Sequence, residues 1–383
     1  MSFSGFDPTE TSASFLCRKA RVVFSHYQAF FPIGCGLLSL GAGMQRREFI
    51  GLIGRAALSF PRPGYAQTNA GLPLIAVISP AKQDTEFARQ IIVALRKGLQ
   101  EEGFTEGKNY SLAIRLANGD FARLPSLAKE LVPLKPRVIV AQSMAIPPAR
   151  ETFPDLPLVF TGVADDPISL GLVESFVRPG GMLTGNVMNA VGGEETMVQK
   201  RVGFLKELVP GLTRIGMIAR TPLPNNSVLN GLPTQEENGL RKAATQFGFE
   251  FKRYNFDTLD DMESTFASAL RDDVSAFYIS GGPFLFVNMS RVISLVAASG
   301  KPGFGPYPQW GRAGLLLSYS SDGVDGYRQA GIYAGKILNG AKPADLPILQ
   351  ADKFTLVINM KTAKSLGIVV PPTLLAVADE VIE

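Results

Sequence analysis

The sequence predicts an α/β protein of two Rossmann-like βαβ lobes joined by a hinge of about three crossovers. From residue 72 onward, short β-rich apolar runs alternate with helical ones, the pattern of parallel βαβ units. The alternation restarts near Arg214, and Glu102-Gly103-Phe104 before one strand is echoed by Phe247-Gly248-Phe249 before another, an internal repeat. Three Gly/Pro-rich stretches, 178–185, 303–314 and 340–347, break the pattern, and three breaks imply three passages between lobes around a cleft.

Residues 74–79 (LIAVIS) read as a buried strand. A helix over 84–102 follows, with Phe87, Ile91, Leu95 and Leu99 four residues apart on one face and Gly103 as its stop. Residues 110–116 form the next strand, 121–131 a second amphipathic helix, and 138–141 and 158–161 two more strands. The second series runs strand 214–219, helix 234–247, strand 249–256, helix 260–270, strand 276–280 and helix 284–298. A strand over 314–319 and a helix around 327–338 follow. The expected lobes are residues 72–182 with 314–342, and 183–313 with 343–383.

A length of 383 residues exceeds one average domain, and 46% hydrophobic with 19% charged residues is ordinary for a soluble globular chain. The net charge of +4 is small and the Lys and Arg residues are scattered, so no nucleic-acid partner is expected. Cys17, Cys35 and the single histidine, His26, all precede Met44. The rest of the chain therefore lacks thiol nucleophiles, imidazole bases, disulfides and Cys/His zinc ligands, leaving carboxylate, Lys or Ser-Lys chemistry open. Ser126-x-x-Lys129 falls mid-helix without a Lys-Thr-Gly partner, and no Gly-x-Gly-x-x-Gly or phosphate loop is present. No enzyme, cofactor or metal is expected.

Residues 44–66 read as an export signal: Arg46-Arg47, a short apolar run, and a small-residue site at Gly64-Tyr65-Ala66. The Arg-Arg-Glu-Phe-Ile run resembles the twin-arginine signal, although Arg55 interrupts the apolar region. Met44 immediately precedes the basic region, so residues 1–43 are expected to be an upstream extension ahead of the true start. A periplasmic location follows as an expectation.

Several segments carry a resemblance: 159–173 (VFTGVADDPISLGLV), the Arg178-Pro179-Gly180-Gly181 run, 316–342 (LLSYSSDGVDGYRQAGIYAGKILNGAK) and 354–383. Through them the chain from about Leu72 to Glu383 resembles the ABC-transporter substrate-binding family that includes the tryptophan-type binding proteins. Met182 and Leu183, where the family commonly shows Asn and Val, and the Asn-rich loop 224–230 depart from it. The resemblance implies a type I periplasmic-binding fold, no chemistry of its own, and docking on a membrane permease driven by an ATPase. It does not fix the ligand, for which amino acids, aromatic ones in particular, are the best precedent.

In open α/β sheets ligands sit beyond the carboxyl ends of the strands, where helix N-termini favour carboxylates. Those ends bring forward Ser79, Gln142 with Ser143, Thr161, Gly162 and Asp165, and Gly282. Ser79, Ser143 and Thr161 suit a carboxylate, though such residues also cap helices. Asp166 before Pro167 reads as a helix cap, whereas Asp165 is freer to meet an ammonium. Tyr307 and Trp310, the sole tryptophan, lie in a Gly/Pro loop and can wall an amphipathic pocket or pack onto a lobe. Tyr319, ending a strand, and Asp322, capping the next helix, are similar mixed cases.

The expected function is a periplasmic solute-binding protein of an ABC import system. It captures a small ligand between two lobes, an amino acid with an aromatic or branched side chain being the best guess, and closes on it. The expected partners are that ligand, the permease and its ATPase; the membrane is reached only through the permease, and the chain acts as a monomer. The alternative is a ligand-sensing input protein for a membrane sensor kinase.

Overall fold

The computed structural model describes residues 71–188, 193–224 and 227–383. The expected upstream extension and export signal lie outside the described residues. The described chain forms two sheets covered on both faces by helices, and it passes between them three times.

The first sheet has six parallel strands in the order β11-β5-β4-β3-β1-β2. These are β1 (Leu74–Ser79), β2 (Ser111–Leu116), β3 (Val138–Gln142), β4 (Leu158–Val163), β5 (Leu183–Val187) and β11 (Leu349–Gln350). The second has seven strands in the order β13-β12-β10-β9-β8-β6-β7. They are β6 (Arg214–Arg220), β7 (Glu250–Phe256), β8 (Ala276–Ile279), β9 (Gly303–Gly305), β10 (Leu317–Ser321), β12 (Phe354–Asn359) and β13 (Glu380–Ile382). Only the β10–β12 pair is antiparallel, with Tyr319 opposite Leu356.

Strands buried on both faces must be apolar on both, which explains their unbroken hydrophobic runs. In the first sheet Ile75, Val77, Val138 and Val140 face α1 (Glu86–Glu101) and α10 (Gly323–Leu338). Ala76, Ile78, Ile139 and Ala141 face the opposite way, onto α2 (Leu124–Glu130) and α3 (Ile146–Thr152). The second sheet repeats the arrangement. Ile215, Met217 and Tyr278 face α4 (Gly193–Leu208) and α5 (Ser227–Phe247). Ile218, Phe277 and Ile279 face α6 (Met262–Arg271) and α8 (Met289–Ser299).

The repeat seen in sequence has a physical cause. Gly103 and Gly248 both take positive φ, +86° and +73°, and each turns the chain out of a helix into the next strand. In both, the amide of the following phenylalanine reaches back to a carbonyl of the last turn, Phe104 N to Leu99 O and Phe249 N to Ala244 O. Helices α1 and α10 cross at glycines. Gly331 leaves Gly98 Cα only 3.1 Å from where a Cβ would stand.

Strand membership moves the expected lobe boundaries. The sequence places residue 183 onward in the second lobe, but β5 pairs with β4 in the first sheet. It places 314–321 in the first lobe, but β10 pairs with β9 and β12 in the second sheet. It places 343–350 in the second, but β11 pairs with β5 in the first. Gly180 and Gly181, with φ of +73° and +61°, make the turn that enters β5, and the crossing comes only after that strand. Between β10 and α10 the crossing takes a single residue, Asp322, whose carboxylate accepts from the Val324 amide at 2.8 Å and caps the helix.

Several helices differ from their sequence reading. The expected helix 284–298 is two, α7 (Pro283–Val287) and α8, broken at Asn288, whose side chain donates to the Phe284 carbonyl at 2.8 Å. Helix α5 begins at Ser227, ahead of Pro233, and so takes in part of the Asn-rich segment. Helix α4 has no counterpart in the reading because its buried face carries Glu194 and Arg201 among the apolar residues, which breaks the periodicity. The loop 303–314 holds β9 and the short helix α9 (Pro308–Ala313).

Candidate functional site

The ends of β1, β3 and β4 and the start of α7 line two adjoining cavities, each with walls from both lobes. One, of about 590 Å³, is bounded by Lys82, Phe87, Gln142 and Met188 on one side and by Phe286, Val287, Met289, Ile293, Tyr307 and Gln309 on the other. The second, of about 560 Å³, is bounded by Ile146, Arg150, Ala164, Asp165 and Leu172 on one side and by Leu232, Pro283 and Tyr307 on the other. Ser143, Gly162, Pro283 and Tyr307 line both. Both volumes fall in the range of small-molecule sites, and the walls are largely apolar with a few polar groups, as such sites are.

Five of the sequence-derived site residues line these cavities: Gln142, Ser143, Gly162, Asp165 and Tyr307. Ser143 takes φ of +46°, uncommon for a residue with a side chain, and Gly162 takes +67°. A Cβ at Gly162 would stand 3.0 Å from Gln142 Cγ, so the absence of a side chain there lets Gln142 lie across the cavity wall. Gln142 Oε1 accepts from Ser79 Oγ at 2.6 Å and from the Tyr327 hydroxyl at 2.9 Å, which leaves its Nε2 as the donor available to a ligand.

Six do not line either cavity. Ser79 is fully buried behind Gln142, accepting also from the Ala81 amide at 3.1 Å, so it orients the glutamine and does not itself reach the cavity. Thr161 is buried and donates to Asn186 Oδ1 at 2.9 Å, and Asn186 in turn donates to the Gly326 carbonyl of α10. Its hydroxyl is committed to packing α10 on the sheet. Gly282 lines only a small pocket of about 30 Å³ beside Arg220 and Arg253. Trp310 has no exposed surface and belongs to the core between the second sheet and α8, its ring edge-on to Phe286 at 6.4 Å. Tyr319 packs edge-on against Phe204 at 5.3 Å, and Asp322 is the cap of α10. Strand-end position brings these residues near the cleft, but side-chain direction decides which enter it, and that follows from packing.

On the apolar side of the site the sequence reading found Tyr307 and missed Phe87 and Phe286. Phe87, Phe286 and Tyr307 form a chain of edge-on rings, Phe87 to Phe286 at 5.2 Å and Phe286 to Tyr307 at 5.2 Å, that spans the two lobes. Phe87 carries a helix-face signal indistinguishable from that of core residues. The Tyr307 hydroxyl donates to the Gly281 carbonyl at 3.0 Å, and burial pushes its pKa well above 10.

A buried polar network, also missed, stands behind the second wall. Arg201 on α4 donates from Nη1 to Glu194 and to the Tyr278 hydroxyl at 3.0 Å, and from Nε to the Tyr319 carbonyl at 2.6 Å. Glu236 on α5 accepts from Tyr278 at 2.9 Å, from the Gly281 amide at 2.8 Å and from Ser280. Arg201, Glu194 and Glu236 are each less than 4% exposed. Arg201 thus pairs directly with Glu194 and reaches Glu236 only through the Tyr278 hydroxyl, and burial, reinforced by Glu194, pushes the Glu236 pKa well above the usual carboxylate range.

Asp165 leaves the first lobe after β4 and meets α5 of the second, where its Oδ1 accepts from Gln235 Nε2 at 2.6 Å. Burial, then the nearby Glu194, pushes its pKa up to about 6. Among the described residues it has no ion pair with Lys or Arg. No group of acids, cysteines and histidines among the described residues has the spacing to hold a metal, and no helix there is long and apolar enough to cross a membrane.

The model of the ABC transporter substrate-binding protein family matches residues 75–382. The tyrosine-binding protein of Clostridioides difficile (strain R20291) is 26% identical over 274 residues, 70% of this chain and 74% of that one. A Streptococcus pneumonia ABC domain solved in complex with L-Trp superposes with a TM-score of 0.70 at 24% identity, over 81% of this chain and 100% of that one. The ligand-free, open structure of a Clostridium difficile substrate-binding protein with adhesive properties gives a TM-score of 0.60 at 20% identity, over 82% of this chain and 99% of that one. The two sheets with their three crossings are the type I periplasmic-binding fold these structures share. With a family match that runs from the first strand to the last, the chain belongs to the ABC transporter substrate-binding proteins.

Proposed function

We propose that this protein captures an amino acid with an aromatic or branched side chain between its two lobes and presents it to the permease of an ABC import system, as an exported, monomeric, non-catalytic component. The observation that carries this reading is the pair of adjoining interlobe cavities: Phe87, Phe286 and Tyr307 line the first, and Tyr307 also lines the second, where Asp165 has no ion-pair partner among the described residues. That combination is complementary to a zwitterion with a hydrophobic tail: Asp165 takes the ammonium, Gln142 Nε2 and the polar groups around Ser143 take the carboxylate, and Phe87, Phe286 and Tyr307 take the side chain. The ligands named for the tyrosine-binding relative and the L-Trp complex support the same class. Ligand touching both lobes favours the closed form because only there are all its contacts made.

Titration calorimetry against tyrosine, tryptophan, phenylalanine, leucine, isoleucine and valine, with sugars and uncharged metabolites as controls, tests the proposal. Binding to at least one of the six, and none to the controls, is the expected result. Binding only to a sugar or an uncharged metabolite overturns the ligand class.

A further inference from the structure

Asp165 and Gln235 make a direct polar bridge between the lobes at the cavity wall. The loop after β4 lays the aspartate against the first turns of α5, where Gly231 and Gln235 are four residues apart on one helix face. A Cβ at position 231 would stand no more than 2.6 Å from either carboxylate oxygen, so glycine there leaves the Asp165 carboxylate room to lie against the helix in this orientation. The glutamine amide donates to Oδ1 at 2.6 Å. The charges that act on Asp165 are negative: Asp166 is adjacent in sequence, and Glu194, whose own ion-pair partner is Arg201, stands near enough to push its pKa up. Arg150 lines the same cavity, but its Nη1 donates to the Gly171 carbonyl at 2.8 Å and it makes no ion pair with Asp165. A desolvated carboxylate in such surroundings is better satisfied by a full positive charge than by an amide dipole.

We propose that the Asp165–Gln235 contact is a self-latch, in which the Gln235 amide occupies the place of a ligand's ammonium group in the ligand-free protein and is displaced when the ligand binds. This rests on the reading of Asp165 as the ammonium acceptor. Gln235 thereby sets affinity and specificity without being a ligand contact of its own. Ligands that bring a cation gain the difference between an ionic and an amide partner. Neutral ligands have nothing with which to displace the glutamine, and they are rejected.

Hydrogen exchange of the ligand-free full-length chain reads the latch directly. In Gln235→Ala the loop after β4 and the first turns of α5 are expected to exchange faster while α1 and α10 are unchanged; identical exchange in the two proteins overturns the latch. Calorimetry with tyrosine, tryptophan and leucine reads the displacement. Because the amide no longer competes, Gln235→Ala is expected to bind about fivefold tighter or more, a discount on the full value of a hydrogen bond to a charged group because Asp165 is partly open to solvent. Gln235→Lys carries its own ammonium to the carboxylate and is expected to bind about tenfold weaker. Unchanged or weaker binding by Gln235→Ala overturns displacement. Asp165→Asn separates the two readings: if it binds as well as the unaltered protein, the role of Asp165 falls and the displacement with it. If it loses binding while Gln235→Ala is neutral, only the displacement falls. Should none of the amino acids bind any variant, the ligand class and the displacement both fail, and hydrogen exchange still decides the latch.

Discussion

Replacing Arg201 by methionine keeps its volume and removes its charge from a site where it is 1% exposed. The substitution leaves Glu194 without its ion-pair partner and the Tyr278 hydroxyl and Tyr319 carbonyl without the donors at 3.0 and 2.6 Å. Water cannot replace them at that depth. Taking one partner from a buried pair typically costs about 3–5 kcal/mol, because the remaining charge is uncompensated, and this is expected at pH 7. For a lobe of this size each kcal/mol lowers the melting temperature by roughly 2–4 °C, so a fall on the order of 10 °C is expected. Glu236, held above the usual carboxylate range mainly by burial, supplies an internal check. With its pKa pushed up to about 8, Glu236 becomes charged only as pH rises through that value, so the penalty of losing Arg201 grows there. Thermal and urea unfolding followed by circular dichroism at pH 7 and pH 9 measures both effects. A loss under 1 kcal/mol at pH 7, or one no larger at pH 9, refutes the reasoning.

Asp165→Ala is expected to weaken amino-acid binding by about 30-fold or more, since losing one side of a buried charged hydrogen bond costs roughly 2–5 kcal/mol; calorimetry of the two proteins decides it. Because its pKa is raised from the ordinary 3.8 to about 6, Asp165 takes up a proton on folding. Its contribution to ligand-free stability is therefore complete below the unfolded value and is lost as pH rises through about 6. Ligand affinity runs the other way, falling as pH drops through 6, and a flat affinity between pH 5 and 8 contradicts the assignment. Gly98→Ala places a methyl group against the Arg328 carbonyl and 2.9 Å from the Ile332 amide, and the forced separation of α1 from α10 is expected to cost about 1–3 kcal/mol in urea unfolding. Replacing Arg46 and Arg47 by lysine is expected to stop delivery to the periplasm, which cell fractionation checks.

The architecture was legible because it depends on local signals. Buried parallel strands must be apolar throughout, as in LIAVIS and RIGMIA, and glycines at 103 and 248 end helices at φ values that residues with side chains avoid. The lobe boundaries were less legible. A Gly/Pro stretch marks a turn, and whether the chain then stays in its sheet, as at Gly180-Gly181, or leaves it, as at Asp322, depends on which strand edge is open.

The sequence alone determined where the site's polar groups are offered, at the carboxyl ends of strands, since that follows from the handedness of βαβ crossovers. The tertiary structure decided which of those groups are free. Ser79, Thr161 and Asp322 are spent on Gln142, Asn186 and the cap of α10, while Gln142 and Asp165 remain at the cavity wall. It also decided that Trp310 belongs to a core while Phe87 and Phe286 meet across the cleft. The physical reason is that hydrogen bonds and ring contacts between residues far apart in sequence depend on side-chain direction after packing. Nothing in residue type or periodicity distinguishes an aromatic that faces its own sheet from one that faces the other lobe.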